Sequence, residues 1–191
     1  MKIAAIFLLI LFALIHKTFA INIISQCNGK EIEKAFLAVN SMHNLQNETN
    51  YFNKFPENYQ CFIKVFGFND YKKEYGEMYN NSDKYIEMFF QLKNIDKKKI
   101  CSKLIKIGVN AKWQVDGVNV FQHWSIEFIK NNTRLFSEIL SEYSQESINL
   151  YLSFLLSGLG DKKVIIYKIE NESKNFKIRK ACSEILHKHN H

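Results

Sequence analysis

Four cysteines and four N-x-S/T sequons are the residues of this 191-residue chain whose types and spacing could do chemistry. Cys27, Cys61, Cys101 and Cys182 form an even set with no CxxC pair among them. Zinc-ribbon and thioredoxin-type sites need that close spacing, so the set reads as a disulfide framework. Four cysteines allow three connectivities. The expected pairing is Cys27–Cys61 with Cys101–Cys182, because each bridge then ties a helical unit whose ends return to one another. In the chain-entropy picture each bridge contributes on the order of 4 kcal/mol. Free thiols are the competing reading. The sequons lie at Asn47, Asn80, Asn131 and Asn171. Each can accept an N-linked glycan in a secreted chain, and each falls where a junction between elements is expected.

Other chemistries lack their patterns. A serine hydrolase would want GxSxG, and Leu156-Ser157-Gly158-Leu159-Gly160 lacks the first glycine and reads as a helix end. HExxH, GxGxxG and GxxxxGK[ST] are absent. His187, His189 and His191 form an HxHxH tail that reads as solvated, since a frayed terminus lacks the outer shell that orients metal ligands. His123 reads as a boundary residue. Glu31 with Glu33, and Glu170 with Glu172, flank basic residues and read as surface pairs. No catalytic residue, metal ligand or cofactor is therefore assigned.

Residues 1–20 set the expected compartment. Lys2, an apolar run from Ile3 to Ile15 and the ending Thr18-Phe19-Ala20 read as a signal peptide, with Ile21 as the mature N-terminus. The run is shorter than the roughly 20 residues that span a bilayer. The expected organisation is thus a signal peptide, 1–20, and a single secreted helical domain, 21–191, with no transmembrane segment after cleavage. The polar ending shows neither an apolar tail for a GPI anchor nor a KDEL-type signal. Removing Lys2 and Lys17 leaves 24 Lys+Arg against 19 Asp+Glu, a net charge of +5. That excess favours solubility, and Lys97-Lys98-Lys99 reads as a solvated helix face, so no nucleic-acid partner is expected.

The chemistry must be positioned by helices. Ile32, Phe36, Val39 and Met42 mark an amphipathic helix from about Lys30 to Leu45, with Asn28 as its cap. A polar loop is expected from Gln46 to Asn53. Pro56 suits the first position of a helix carrying Tyr59, Phe62, Ile63 and Phe66, with Gly67 as its stop. Asp70 can cap a short helix holding Tyr71, Tyr75 and Tyr79. Tyr85, Ile86, Phe89 and Phe90 mark another to about Lys93, and Asp96 caps the next, which ends at Gly108. Val109 to Val120 alternates around Asp116-Gly117, a hairpin signal. The competing reading starts a helix near Asn119, since Phe121, Trp124 and Phe128 share one helical face. Helices capped by Thr133 and Ser144 follow. Val164 to Ile169 is β-branched and reads as a strand, and a last helix runs from about Asn175 to Lys188. The expected fold is mainly α: a disulfide-stapled helical bundle with a short β-hairpin or two small strands.

Three functions are compatible with this pattern. The first is a secreted, N-glycosylated, non-enzymatic binding protein, which should expose an apolar patch rimmed by polar residues to an extracellular protein. The second is a carrier of a small apolar ligand or lipid, with Phe121, Trp124 and Phe128 walling a cavity of roughly 300 Å3 or more. The third is a hydrolase with a dispersed site, which needs a cleft where titratable groups converge. Phe, Tyr, Ile, Asn and Lys are abundant, as an AT-rich genome would favour, so the 14% aromatic content alone argues for no ligand box.

Overall fold

The computed structural model describes residues 27–189, so the signal-peptide reading of residues 1–20 and the imidazole of His191 lie outside the described residues. Ten helices and one two-stranded ribbon form the described chain. Helix α1 spans Gly29–Ser41, its start held by the Asn28 side chain, which accepts from the Lys30 and Glu31 amides. Ile32, Ala35, Phe36 and Val39 repeat at helical spacing and face the core. Helix α2 spans Leu45–Lys54, where a polar loop was expected. Asn44 caps it, Glu48 and Tyr51 turn inward, and Phe52 packs on the core at its edge. The Tyr51 hydroxyl also donates to the Tyr85 carbonyl at 2.5 Å.

Helix α3, Tyr59–Phe66, starts at an Asn58 cap rather than at Pro56, and Gly67 ends it as expected. The tyrosine-rich helix does not form. Strands β1, Phe68–Asn69, and β2, Glu74–Tyr75, pair antiparallel in its place. The Asn69 side chain accepts from the Tyr71 and Lys72 amides and bends the chain there, a turn that offers the backbone an alternative to helix. Helix α4 spans Ser82–Phe90 and α5 Lys97–Gly108, the latter capped by Asp96.

The Asp116-Gly117 hairpin is also not formed. Asp116 instead caps helix α6, Gly117–Asn131, its carboxylate accepting from Val118 at 2.7 Å and from the Phe68 amide at 2.9 Å. Gly117 is required by closeness: a Cβ there would stand 2.7 Å from the Phe66 carbonyl oxygen. Helices α7, Thr133–Leu140, and α8, Gln145–Leu156, follow. Val164 to Ile169, expected as a strand, lies in helix α9, Lys163–Glu172. Ile165, Ile166 and Ile169 fall on one buried face there, and packing against α7, α8 and the last helix, α10, Phe176–Lys188, overrides their β preference.

Helix α6 packs against α3 and α4 on one side of the sequence and α7, α8 and α9 on the other, so it joins the two halves. Around it a chain of rings fills the core, with Phe55 stacked on Phe89 at 4.2 Å and Phe62 against Phe121 at 5.0 Å. Several helix ends are closed by lysines. Lys103, 3% exposed, donates to the Phe52 and Phe55 carbonyls at the end of α2. Lys162 reaches the Ser157 carbonyl after α8, Lys177 the Tyr143 carbonyl after α7, and Lys64 the Cys27 carbonyl.

Candidate interaction surface

The cysteines divide. Cys27 and Cys61 are bonded, with Cα atoms 5.3 Å apart, and the bridge ties the segment before α1 to the side of α3. The second expected bridge is corrected: Cys101 and Cys182 are separate buried thiols. They lie on the inward faces of α5 and α10, and each of those helices packs on α8. Burial pushes both thiols up to about 12, so neither is a nucleophile at neutral pH.

The aromatic stripe is packed into the fold. Phe121 is buried against Phe62 and Phe154. Trp124 and Phe128 are half-buried and close on Phe90 of α4, at 6.4 and 6.2 Å. These three residues line none of four surface clefts found among the described residues. Those clefts are open grooves, and three run over charged surface of α6, α7, α9 and α10. Among the described residues no group of three or more His, Cys, Asp or Glu side chains is placed to hold a metal ion. No helix among them is long and apolar enough to cross a membrane.

The fourth groove, of about 520 Å3, opens between His43 and the turn that follows α4, where Phe90, Leu92 and Ile95 line it. It adjoins the corner between α1 and α2, the best-organised surface feature of the N-terminal half. Helix α1 stops at Ser41, so Met42, expected on its buried face, turns outward and is 62% exposed. Leu37 at 59% and Leu45 at 62% flank it. Met42 and Leu45 are thus left in water at the corner, with Leu37 about one turn before it on α1.

Hydrogen bonds fix that corner from beneath. The Met42 amide donates to the Ala38 carbonyl at 3.0 Å. Asn44 accepts from the Asn47 amide at 2.8 Å. The Asn47 side-chain nitrogen donates both its hydrogens, to the Ala38 carbonyl at 3.1 Å and the Met42 carbonyl at 2.9 Å. Glu48 lies under this layer with no exposed surface. One of its oxygens accepts from His43 Nδ1 at 3.0 Å and the other from the Asn94 amide at 2.6 Å. Burial alone would raise the Glu48 carboxyl, but the Asn94 and His43 hydrogen bonds outweigh it and hold the group below its ordinary value. At the far end of α2, Lys103 also pairs with Glu57 at 2.5 Å. Burial draws this ammonium below its usual range, and the Glu57 carboxylate opposes the shift.

His43 and Glu48 have two members of a hydrolytic triad's geometry. No Ser, Thr or Cys side chain is hydrogen-bonded to His43 among the described contacts. The pair instead locks the post-α4 turn onto α2. Sequence reasoning missed His43, Glu48, Leu37, Met42 and Leu45 as a group. The available signal was Asn44, a capping residue four positions before Glu48.

The sequons differ in surroundings. Asn80 is exposed in a short 3-10 turn, Tyr79–Asn81, Asn131 is exposed at the last residue of α6, and Asn171 is exposed in the last turn of α9. Asn47 lies in the first turn of α2 rather than in the expected loop, and it is only half-exposed. Compared with family models, curated proteins and solved structures, the chain matches none.

Proposed function

We propose that this is a non-catalytic binding protein of the secretory pathway, N-glycosylated, with the α1–α2 corner as its contact surface. The observation that carries the reading is the exposure of Leu37, Met42 and Leu45 on a corner already held by backbone and side-chain hydrogen bonds. Clustered exposed apolar side chains with a polar rim mark interaction sites. A surface ordered before contact loses little conformational freedom on binding. The disulfide and the lack of a membrane-crossing helix among the described residues are compatible with a secreted or lumenal protein. The partner that suits the corner is an extracellular protein with an apolar face, and the neighbouring groove at Phe90, Leu92 and Ile95 extends the contact.

The test is saturable binding of the labelled protein to extracellular material of its source. A Leu37→Ser, Met42→Ser, Leu45→Ser variant should lose that binding. A Leu159→Ser control, altered at a residue 77% exposed on the far half of the chain, should keep it. Equal binding by both variants refutes the reading.

A further inference from the structure

Asn47 stands apart from the other sequons in what its amide does. A primary amide has two hydrogens, and N-glycosylation replaces one. At Asn47 both are engaged, on the Ala38 and Met42 carbonyls that end α1. The Asn131 amide makes one hydrogen bond, to the Glu127 carbonyl at 2.9 Å, and so can keep it with a sugar attached. Asn80 and Asn171 project from exposed positions. Only at Asn47 does modification compete with the fold.

We propose that Asn47 is a modification site whose state sets the corner: bare, it clasps the end of α1; glycosylated, it releases the clasp and covers Leu37, Met42 and Leu45. The proposal rests on the reading of this corner as the contact surface of a secreted protein. The donor is a lipid-linked oligosaccharide diphosphate. The amide nitrogen bonds to the anomeric carbon of the sugar, and the anomeric C–O bond breaks. The diphosphate leaves with the electron pair, and one amide hydrogen departs as a proton. The transfer meets an unfolded segment, and folding then proceeds with one donor fewer for two carbonyls. The first sugar would sit on a nitrogen 2.9 Å from the carbonyl oxygen of the exposed Met42, two residues after the exposed Leu45.

The test uses the full chain secreted from eukaryotic cells, with site occupancy read by mass spectrometry and glycans trimmed to a single sugar. Chains occupied at Asn47 are compared with Thr49→Ala, which removes the sequon at an exposed residue and leaves the clasp intact. The occupied form should melt roughly 2–4 °C lower and exchange amide hydrogens faster across residues 38–48. Asn47→Ala, with neither clasp nor sugar, should melt like the occupied form. Glycans at Asn80, Asn131 or Asn171 should change neither readout. Identical melting and exchange of occupied and Thr49→Ala chains overturns the proposal. So does Asn47 remaining bare while other sequons are occupied. Chains bare at all four overturn this proposal and the secretory reading together. Both readouts need no partner, so binding that survives the triple corner variant would fault the contact-surface reading alone.

Discussion

Replacing Glu48 should loosen the corner by an amount the structure allows one to work out. In Glu48→Ala the Asn94 amide loses its 2.6 Å acceptor, but Asn94 is exposed and the bond is only partly buried, so water can take the acceptor's place and the loss is about 1 kcal/mol. His43 loses its 3.0 Å partner as well, but the ring is 38% exposed and can turn to solvent, so that loss is about 1 kcal/mol. Together they amount to about 2 kcal/mol, or roughly 4–8 °C in melting temperature for a domain of this size. Glu48→Gln keeps the volume and one acceptor for Asn94, and should cost about 1 kcal/mol. Acid adds an independent arm. The folded carboxyl lies below the ordinary value of 4.5, so its stabilisation is present above that value and lost as the pH falls through the lower, folded one. The stability gap between wild type and Glu48→Gln should therefore shrink between about pH 6 and about pH 3. Denaturant titrations with an unchanged m-value measure both. A gap that stays constant with pH, or a Glu48→Ala loss below about 1 kcal/mol, would refute the assignment of Glu48 as the latch.

Three further outcomes are expected. Tyr151→Phe removes a buried hydroxyl that lies near Ser125 without making a hydrogen bond of good geometry. It should leave stability unchanged or raise it by up to about 2 kcal/mol, and a loss beyond about 1 kcal/mol would show the hydroxyl to be engaged. Gly158 sits at φ 85, and a Cβ there would run into the Trp113 indole. Gly158→Ala should lower stability by at least about 2 kcal/mol in thermal melts. Cys101 and Cys182 should resist a thiol reagent in the native protein and give two reactive thiols per chain on unfolding without reductant. A count of zero would restore the second bridge.

The cores of the helices were legible because apolar spacing carries them: Ile32, Phe36 and Val39, or Ile148, Tyr151, Leu152 and Leu155, fall on buried faces. Caps at Asn28, Asp96 and Ser144 were legible for the same local reason, whereas Thr133, expected as a cap, is the first residue of α7. What failed depended on distant partners. Asp116-Gly117 has hairpin chemistry, yet Phe66 and Phe68 claim the glycine's space and the carboxylate. Val164 to Ile169 has strand composition, yet it has helices to pack on rather than a sheet edge. The corner was illegible because Met42 continues the apolar period of α1 in sequence while the backbone leaves the helix one residue earlier. Glu48 fell within the polar loop expected from Gln46 to Asn53, since its partners lie five and 46 residues away.

The lysines that close helix ends alter how the basic excess meets a polyanion. Lys64, Lys103, Lys162 and Lys177 rest on carbonyl oxygens, three of them at ends of helices, where the aligned peptide dipoles are negative. None of the four can swing to a phosphate without uncapping the chain beneath it. They still count in the formal excess of +5 for residues 21–191, but as charges fixed in place. A polymer of phosphates would therefore meet these four as a fixed field and would have to find its direct ammonium contacts among the other basic side chains.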